Sequence, residues 1–225
     1  MARRLAVGML KGGAAKSTTA CHCAIWLSLL GLGPVLVAEA DTDLMTLEWI
    51  SSVRDKLLEL GGGDRRHRVD VVDMTHGLGR LHEMERNYRY SVVDVEPKRE
   101  KLLREALWRP DRGGKDGNRT DLIIPVKPYP ADIRKLPQTL TLAAEVDQHN
   151  PVIPRVLLVQ VRLSAGHAKE VPAQLAAAGI PIFRTMITLK ESIGYSLNTT
   201  YVDTAYSDVL GELDIITTEK DSTNG

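Results

Sequence analysis

Met9-Leu10-Lys11-Gly12-Gly13-Ala14-Ala15-Lys16-Ser17-Thr18-Thr19 joins an apolar run, Leu5–Leu10, to an amphipathic run, Thr18–Leu30. A strand, a Gly-rich loop and a helix in that order are what a phosphate-binding loop requires. Successive backbone N–H groups can curl round an anion, and the helix N-terminus adds partial positive charge. In such a loop Gly12, Gly13, Ala14 and Ala15 supply backbone donors, with Thr18 at the helix start. Lys16 reaches the outer phosphates and Ser17 ligates Mg²⁺ through its hydroxyl. The bland alternative is a small-residue turn with no ligand, but the length and placement of the motif argue against it.

The chain of 225 residues fits one α/β domain, expected over 1–218 with a frayed polar tail at 219–225. Hydrophobic residues make up 43%, enough for a large core, and with one Phe and three Trp that core is aliphatic. Such material suits a parallel sheet buried on both faces. The formal net charge is zero, so any contact with nucleic acid needs a local patch. Cys21 and Cys23, two apart on a helix, point roughly 200° away from each other and read as buried free thiols. The histidines show no metal-ligand spacing. No signal peptide or apolar run of spanning length is visible, so no membrane role and a cytoplasmic location are expected.

Apolar runs alternate with helix-period runs, predicting a doubly wound, mainly parallel α/β sheet with helices on both faces. The predicted strands are Leu5–Met9, Val35–Ala38, Val69–Val72, Ser91–Val95, Leu122–Val126, Arg155–Val161 and Ile182–Ile187. The predicted helices are Ser17–Leu30, Leu44–Leu60, Gly79–Asn87, Arg99–Trp108, Ala131–Gln148, His167–Ala178 and Asp203–Ile215. Residues 109–120 form a polar, Gly-rich loop.

The second lysine, Lys11, makes the loop resemble the deviant Walker A motif of the ParA/MinD family of P-loop ATPases. The resemblance spans nearly the whole chain and lies closest to the short partition ATPases. It implies that ATP or ADP binds with Mg²⁺, and that two copies close into a homodimer sandwiching the nucleotides. Lys16 then acts in its own site while Lys11 completes the other copy's site. Ala15 stands where many relatives have glycine, a substitution costing about 1 kcal/mol if φ is positive there.

Val35-Leu36-Val37-Ala38-Glu39-Ala40-Asp41-Thr42-Asp43 resembles the family strand that ends in D-x-D-P-Q. Asp41 then orients the attacking water, with Glu39 in place of the first aspartate, near the metal. The rival register makes Asp43 the water residue. Trp49, eight residues after Asp41, also fits the resemblance. Ser91-Val92-Val93-Asp94 has the form of a Walker B strand, with Asp94 holding Mg²⁺ through water. Val95-Glu96 departs from the usual continuation. Val69–Asp73 also ends in an acid but lies early, and Asp73 reads as structural. Asp121–Pro128 resembles the family's next strand. Gln160, Ile187 and Thr188 are the expected base contacts.

The resemblance further implies non-specific DNA binding by the ATP-bound dimer, nucleoid association, and stimulation by a centromere-binding ParB-like partner. Candidate phosphate contacts are Lys190, Arg184, Arg162 and Lys169; the loop 109–119 and Lys98, Arg99, Lys101 and Arg104 are further basic clusters. Two alternatives compete. A MinD-like positioning ATPase would end in a basic amphipathic helix, whereas residues 211–221 are acidic. A nucleotide-dependent scaffold without hydrolysis would fit Ala15, Glu39 and Val95-Glu96. An iron-protein-like reductase would need cysteines in the second half, and none is there.

Overall fold

The computed structural model describes residues 2–13, 15–109, 119–164 and 166–216, and for 167–169 the backbone alone. Ala14, most of the loop at 109–120 and the tail at 219–225 therefore lie outside the described residues, as does the side chain of Lys169.

The elements alternate along the chain: β1 (Arg3–Val7), α1 (Lys16–Leu29), β2 (Val35–Ala40), α2 (Met45–Leu60), β3 (Val69–Asp73), α3 (Leu81–Met84), β4 (Tyr90–Val95) and α4 (Glu100–Leu107). They continue with β5 (Thr120–Val126), α5 (Pro130–Ile133), α6 (Leu136–Asp147), β6 (Val152–Leu158), α7 (His167–Ala177), α8 (Glu191–Gly194) and α9 (Ala205–Glu212). The six strands form one all-parallel sheet in the order β3-β2-β4-β1-β5-β6. Every residue of β2, β4 and β5 is buried, which is why these strands read as unbroken apolar runs rather than alternating ones.

Successive side chains of each strand point to opposite faces, and two apolar layers result. On one face Leu5, Val7, Val37 and Val92 pack with Ile25, Ile50 and Leu210 of α1, α2 and α9. On the other, Ala6, Leu36, Val93 and Leu122 pack with Leu103, Leu142 and Leu175 of α4, α6 and α7. At the foot of the sheet, Arg4 Nε and Nη2 each donate to the Glu85 carboxylate over 2.7 Å, fully buried.

Two expectations are corrected. The predicted helix Ala131–Gln148 is two pieces, α5 and α6. The predicted seventh strand, Ile182–Ile187, is reduced to two isolated parallel bridges, Val156 to Ile182 and Val161 to Thr188. The cause is local. Glu212 accepts the backbone N–H groups of Arg184 and Thr185, each over 2.8 Å, pulling the middle of the segment off the ladder. The chain regains the ladder where the Ile187 N–H donates to the Leu158 carbonyl over 2.9 Å.

Candidate functional site

The strand order reverses on either side of β1, so the loop leaving β1 sits at a topological switch point, where open α/β sheets bind ligands. The described part of that loop turns through Gly13 at φ 75° and enters α1 from Ala15, left-handed at φ 53° and ψ 36°. A Cβ in that region is strained, and Ala15 bears the strain expected of it. Lys16 opens α1, only 6% exposed.

Register brings the acids to the same end. Asp94 pairs across the ladder with Val7 on one side and Glu39 on the other, so these side chains share the face covered by α1 and α2. Asp94 is fully buried. Its Oδ2 accepts a hydrogen bond from the Thr46 hydroxyl over 2.7 Å, and its Oδ1 has no hydrogen-bond partner. Burial pushes the Asp94 pKa up to about 6. The nearby Ser17 hydroxyl, the Thr46 hydrogen bond and the charge of Lys16 oppose that rise, and Asp41 adds to it.

Asp41 follows β2 directly and is buried, whereas Asp43 is exposed and donates its backbone N–H to Asp41 Oδ1 over 3.2 Å. Glu39 departs from the expected metal role. Its Oε1 accepts the Asp41 N–H over 2.9 Å, and its Oε2 accepts those of Thr46 (2.9 Å) and Leu47 (3.2 Å). The Thr46 and Leu47 amides are orphan donors at the start of α2, so Glu39 caps that helix from the preceding strand. Burial, then the charge of Asp94, raises its pKa to about 7.

Lys11, expected to reach a second copy, is ion-paired in its own chain with Asp132 at the start of α5. Asp73 is exposed and accepts the Thr75 N–H and hydroxyl, a turn-closing role. Gln160, Ile187 and Thr188 line one cleft of about 240 Å³ together with Ala15 and Thr18 of the loop. Sequence reasoning missed that α2 furnishes Met45 and Trp49 to its wall, and that Tyr206 of α9 closes its floor. Gln160 is held at φ 54°.

The DNA candidates are less united. Lys190 lines the same cleft and is ion-paired with Asp203 over 2.7 Å. Arg184 is 92% exposed with Glu212 3.8 Å away. Arg162 is exposed.

The donor set fits a hydrated Mg²⁺ with phosphate. A small hard cation keeps several waters and takes few protein oxygens. The Ser17 hydroxyl and the unpartnered Asp94 Oδ1 would be the oxygens to hold it. Among the described residues no helix is long and apolar enough to cross a membrane.

Scanned against protein-family models and against curated proteins, the sequence matches none. Solved structures do match in fold. A Cyanothece McdA in complex with ATP superposes with TM-score 0.68 at 16% identity, covering 97% of this chain and 99% of that one. A plasmid partition protein from Borrelia burgdorferi bound to AMPPNP gives 0.63 at 15% identity, covering 96% and 100%. Cobyrinic acid a,c-diamide synthase from Mycobacterium smegmatis, with ADP and magnesium, gives 0.64 at 19%, covering 95% and 96%. The chain thus has the fold of the ParA/MinD-like P-loop ATPases.

Proposed function

We propose that this chain is a ParA-type partition ATPase. Its ligands are ATP or ADP with Mg²⁺, the molecules that accompany its structural neighbours. One observation carries the reading. Loop residues 11–13 and 15–18, Asp41 and an Asp94 with one unpartnered oxygen lie at the sheet's switch point, beside the cleft of Gln160, Ile187 and Thr188.

In the proposed cycle Lys16 and the loop amides hold the phosphates, and the cleft takes the base. Bound Mg²⁺ neutralises phosphate charge. Asp41 orients the attacking water and accepts its proton. Two copies close face to face, each Lys11 leaving Asp132 for the other copy's phosphates. The dimer then holds non-specific DNA through Lys190, Arg184, Arg162 and Lys169, contacts that carry charge but read no base. A centromere-binding ParB-like partner accelerates a slow hydrolysis, and the cycle runs in the cytoplasm on the nucleoid.

Fluorescence anisotropy on a random-sequence duplex tests this, with ATP-Mg²⁺, with ADP-Mg²⁺ and without nucleotide. Binding with ATP alone, falling steeply with salt, is expected. Equal binding in all three states, or none, would sink the partition reading. The strained Ala15 keeps one rival in play, a scaffold that binds ATP without cleaving it. Phosphate release above that of Asp41→Ala excludes the scaffold.

A further inference from the structure

Thr46 is the second residue of α2 and is fully buried. Its side chain ignores its own helix. The hydroxyl crosses to another strand and donates to Asp94 Oδ2 over 2.7 Å. Its backbone N–H meanwhile donates to Glu39, whose other oxygen accepts the N–H of Asp41. One residue therefore joins the β4 carboxylate to the loop that carries Asp41. Because the hydroxyl occupies one oxygen of Asp94, the other stays as the acceptor free for a hydrated cation. A carboxylate without that anchor can turn about its Cα–Cβ and Cβ–Cγ bonds, and groups that orient a ligand set its affinity.

We propose that Thr46 is the positioning residue for Asp94, setting the affinity for Mg²⁺ and tying metal loading to the start of α2. The inference rests on the reading that this site takes Mg²⁺-nucleotide. Thr46 itself touches neither phosphate nor metal; it acts through Asp94 and Glu39.

Binding of a fluorescent ADP, titrated with Mg²⁺ and repeated in EDTA, tests the idea on the purified chain. Thr46→Val keeps the shape and removes the donor, so the apparent Mg²⁺ affinity should fall roughly 10-fold or more. Metal-free ADP binding should stay within about 2-fold, because the loop amides and Lys16 are untouched. Thr46→Ser, which keeps the hydroxyl, should restore most of the Mg²⁺ response. Thr46→Ala repeats the loss without a buried branched side chain, should Thr46→Val fold poorly. A Mg²⁺ dependence unchanged in Thr46→Val or Thr46→Ala overturns the inference while the nucleotide reading stands. So does a Thr46→Ser as impaired as Thr46→Val, or a loss of ADP binding in EDTA that parallels the loss with metal. If the unaltered chain binds no ADP in either condition, the nucleotide reading and the inference fall together.

Discussion

Ala15 shows how one side chain can tax a binding loop. Its left-handed backbone suits glycine, and the Cβ that alanine adds has to be carried by the surrounding turn. Ala15→Gly should therefore relieve about 1 kcal/mol of strain. Some of that gain is lost to the greater freedom of glycine in the unfolded chain. The expected result is a urea midpoint equal to or above that of the parent, with ADP bound several-fold more tightly; isothermal titration calorimetry reads the second quantity. Weaker ADP binding in Ala15→Gly would mean that the loop does not use this geometry. The glycine-for-alanine departure was legible in the sequence, and so was its cost. The partner of Lys11 was not: Asp132 lies more than a hundred residues away, and no spacing rule links them. Glu39 was misplaced for a related reason. A carboxylate at a strand end looks the same in sequence whether it faces a metal or caps the next helix.

Among the elements, α1 bears two jobs. Its first turn carries Lys16, Ser17 and Thr18 to the end of the loop after β1, and its next turns grip the segment that follows α8. His22 Nδ1 accepts the Asp203 N–H over 3.2 Å, and the ring stacks on Tyr206 with centroids 4.6 Å apart. Trp26 Nε1 donates to the Asp203 carbonyl, and Trp49 of α2 to that of Thr199, both over 2.9 Å. Burial lowers the His22 pKa from 6.5 to about 4, with Asp203 opposing. The folded state thus favours the neutral ring. Its contribution is complete above pH 6.5 and fades as pH falls toward 4. At pH 5 the loss amounts to about 2 kcal/mol relative to pH 7. Glu39 and Asp94, whose pKa values burial raises, gain stability over the same interval and offset that loss. Urea unfolding at both values therefore reads the His22 share as a difference: from pH 7 to pH 5, His22→Gln should keep about 2 kcal/mol more stability than the parent; equal changes in the two proteins would refute the assignment. The helices and six strands were legible because their apolar periods are long and clean. The seventh strand misled because its pattern is apolar too. What breaks it is Glu212, a competitor for its amides brought in from α9.

At the scale of the whole molecule, the Lys11–Asp132 pair would oppose the proposed dimer. Lys11 is 32% exposed and Asp132 14%, so solvent weakens the pair to about 0.5–1 kcal/mol. Closing the proposed dimer would break two of them, one per copy. Asp132→Asn should strengthen ATP-dependent dimerisation by roughly 5- to 30-fold. Light scattering across a concentration series, with a non-hydrolysable ATP analogue, gives the constant; an unchanged value would show that Lys11 leaves Asp132 at no cost. The doubly wound layout was readable from the alternation of strands and helices. The closing of one cleft by Gln160, Thr188 and Tyr206 follows from tertiary packing that no local pattern announces.

The pinning of the 199–203 segment by two indoles also orders events in time. Residues of the loop after β1 leave the ribosome early, within about the first tenth of the chain, while the carbonyls that Trp26 and Trp49 reach are made near its end. A nascent chain shorter than about 200 residues lacks Tyr206 and the carbonyl that Trp26 reaches, so its cleft is unfinished. Closure of that cleft is then a property acquired only late in synthesis, and the two indoles are natural fluorescent witnesses of the moment it arrives.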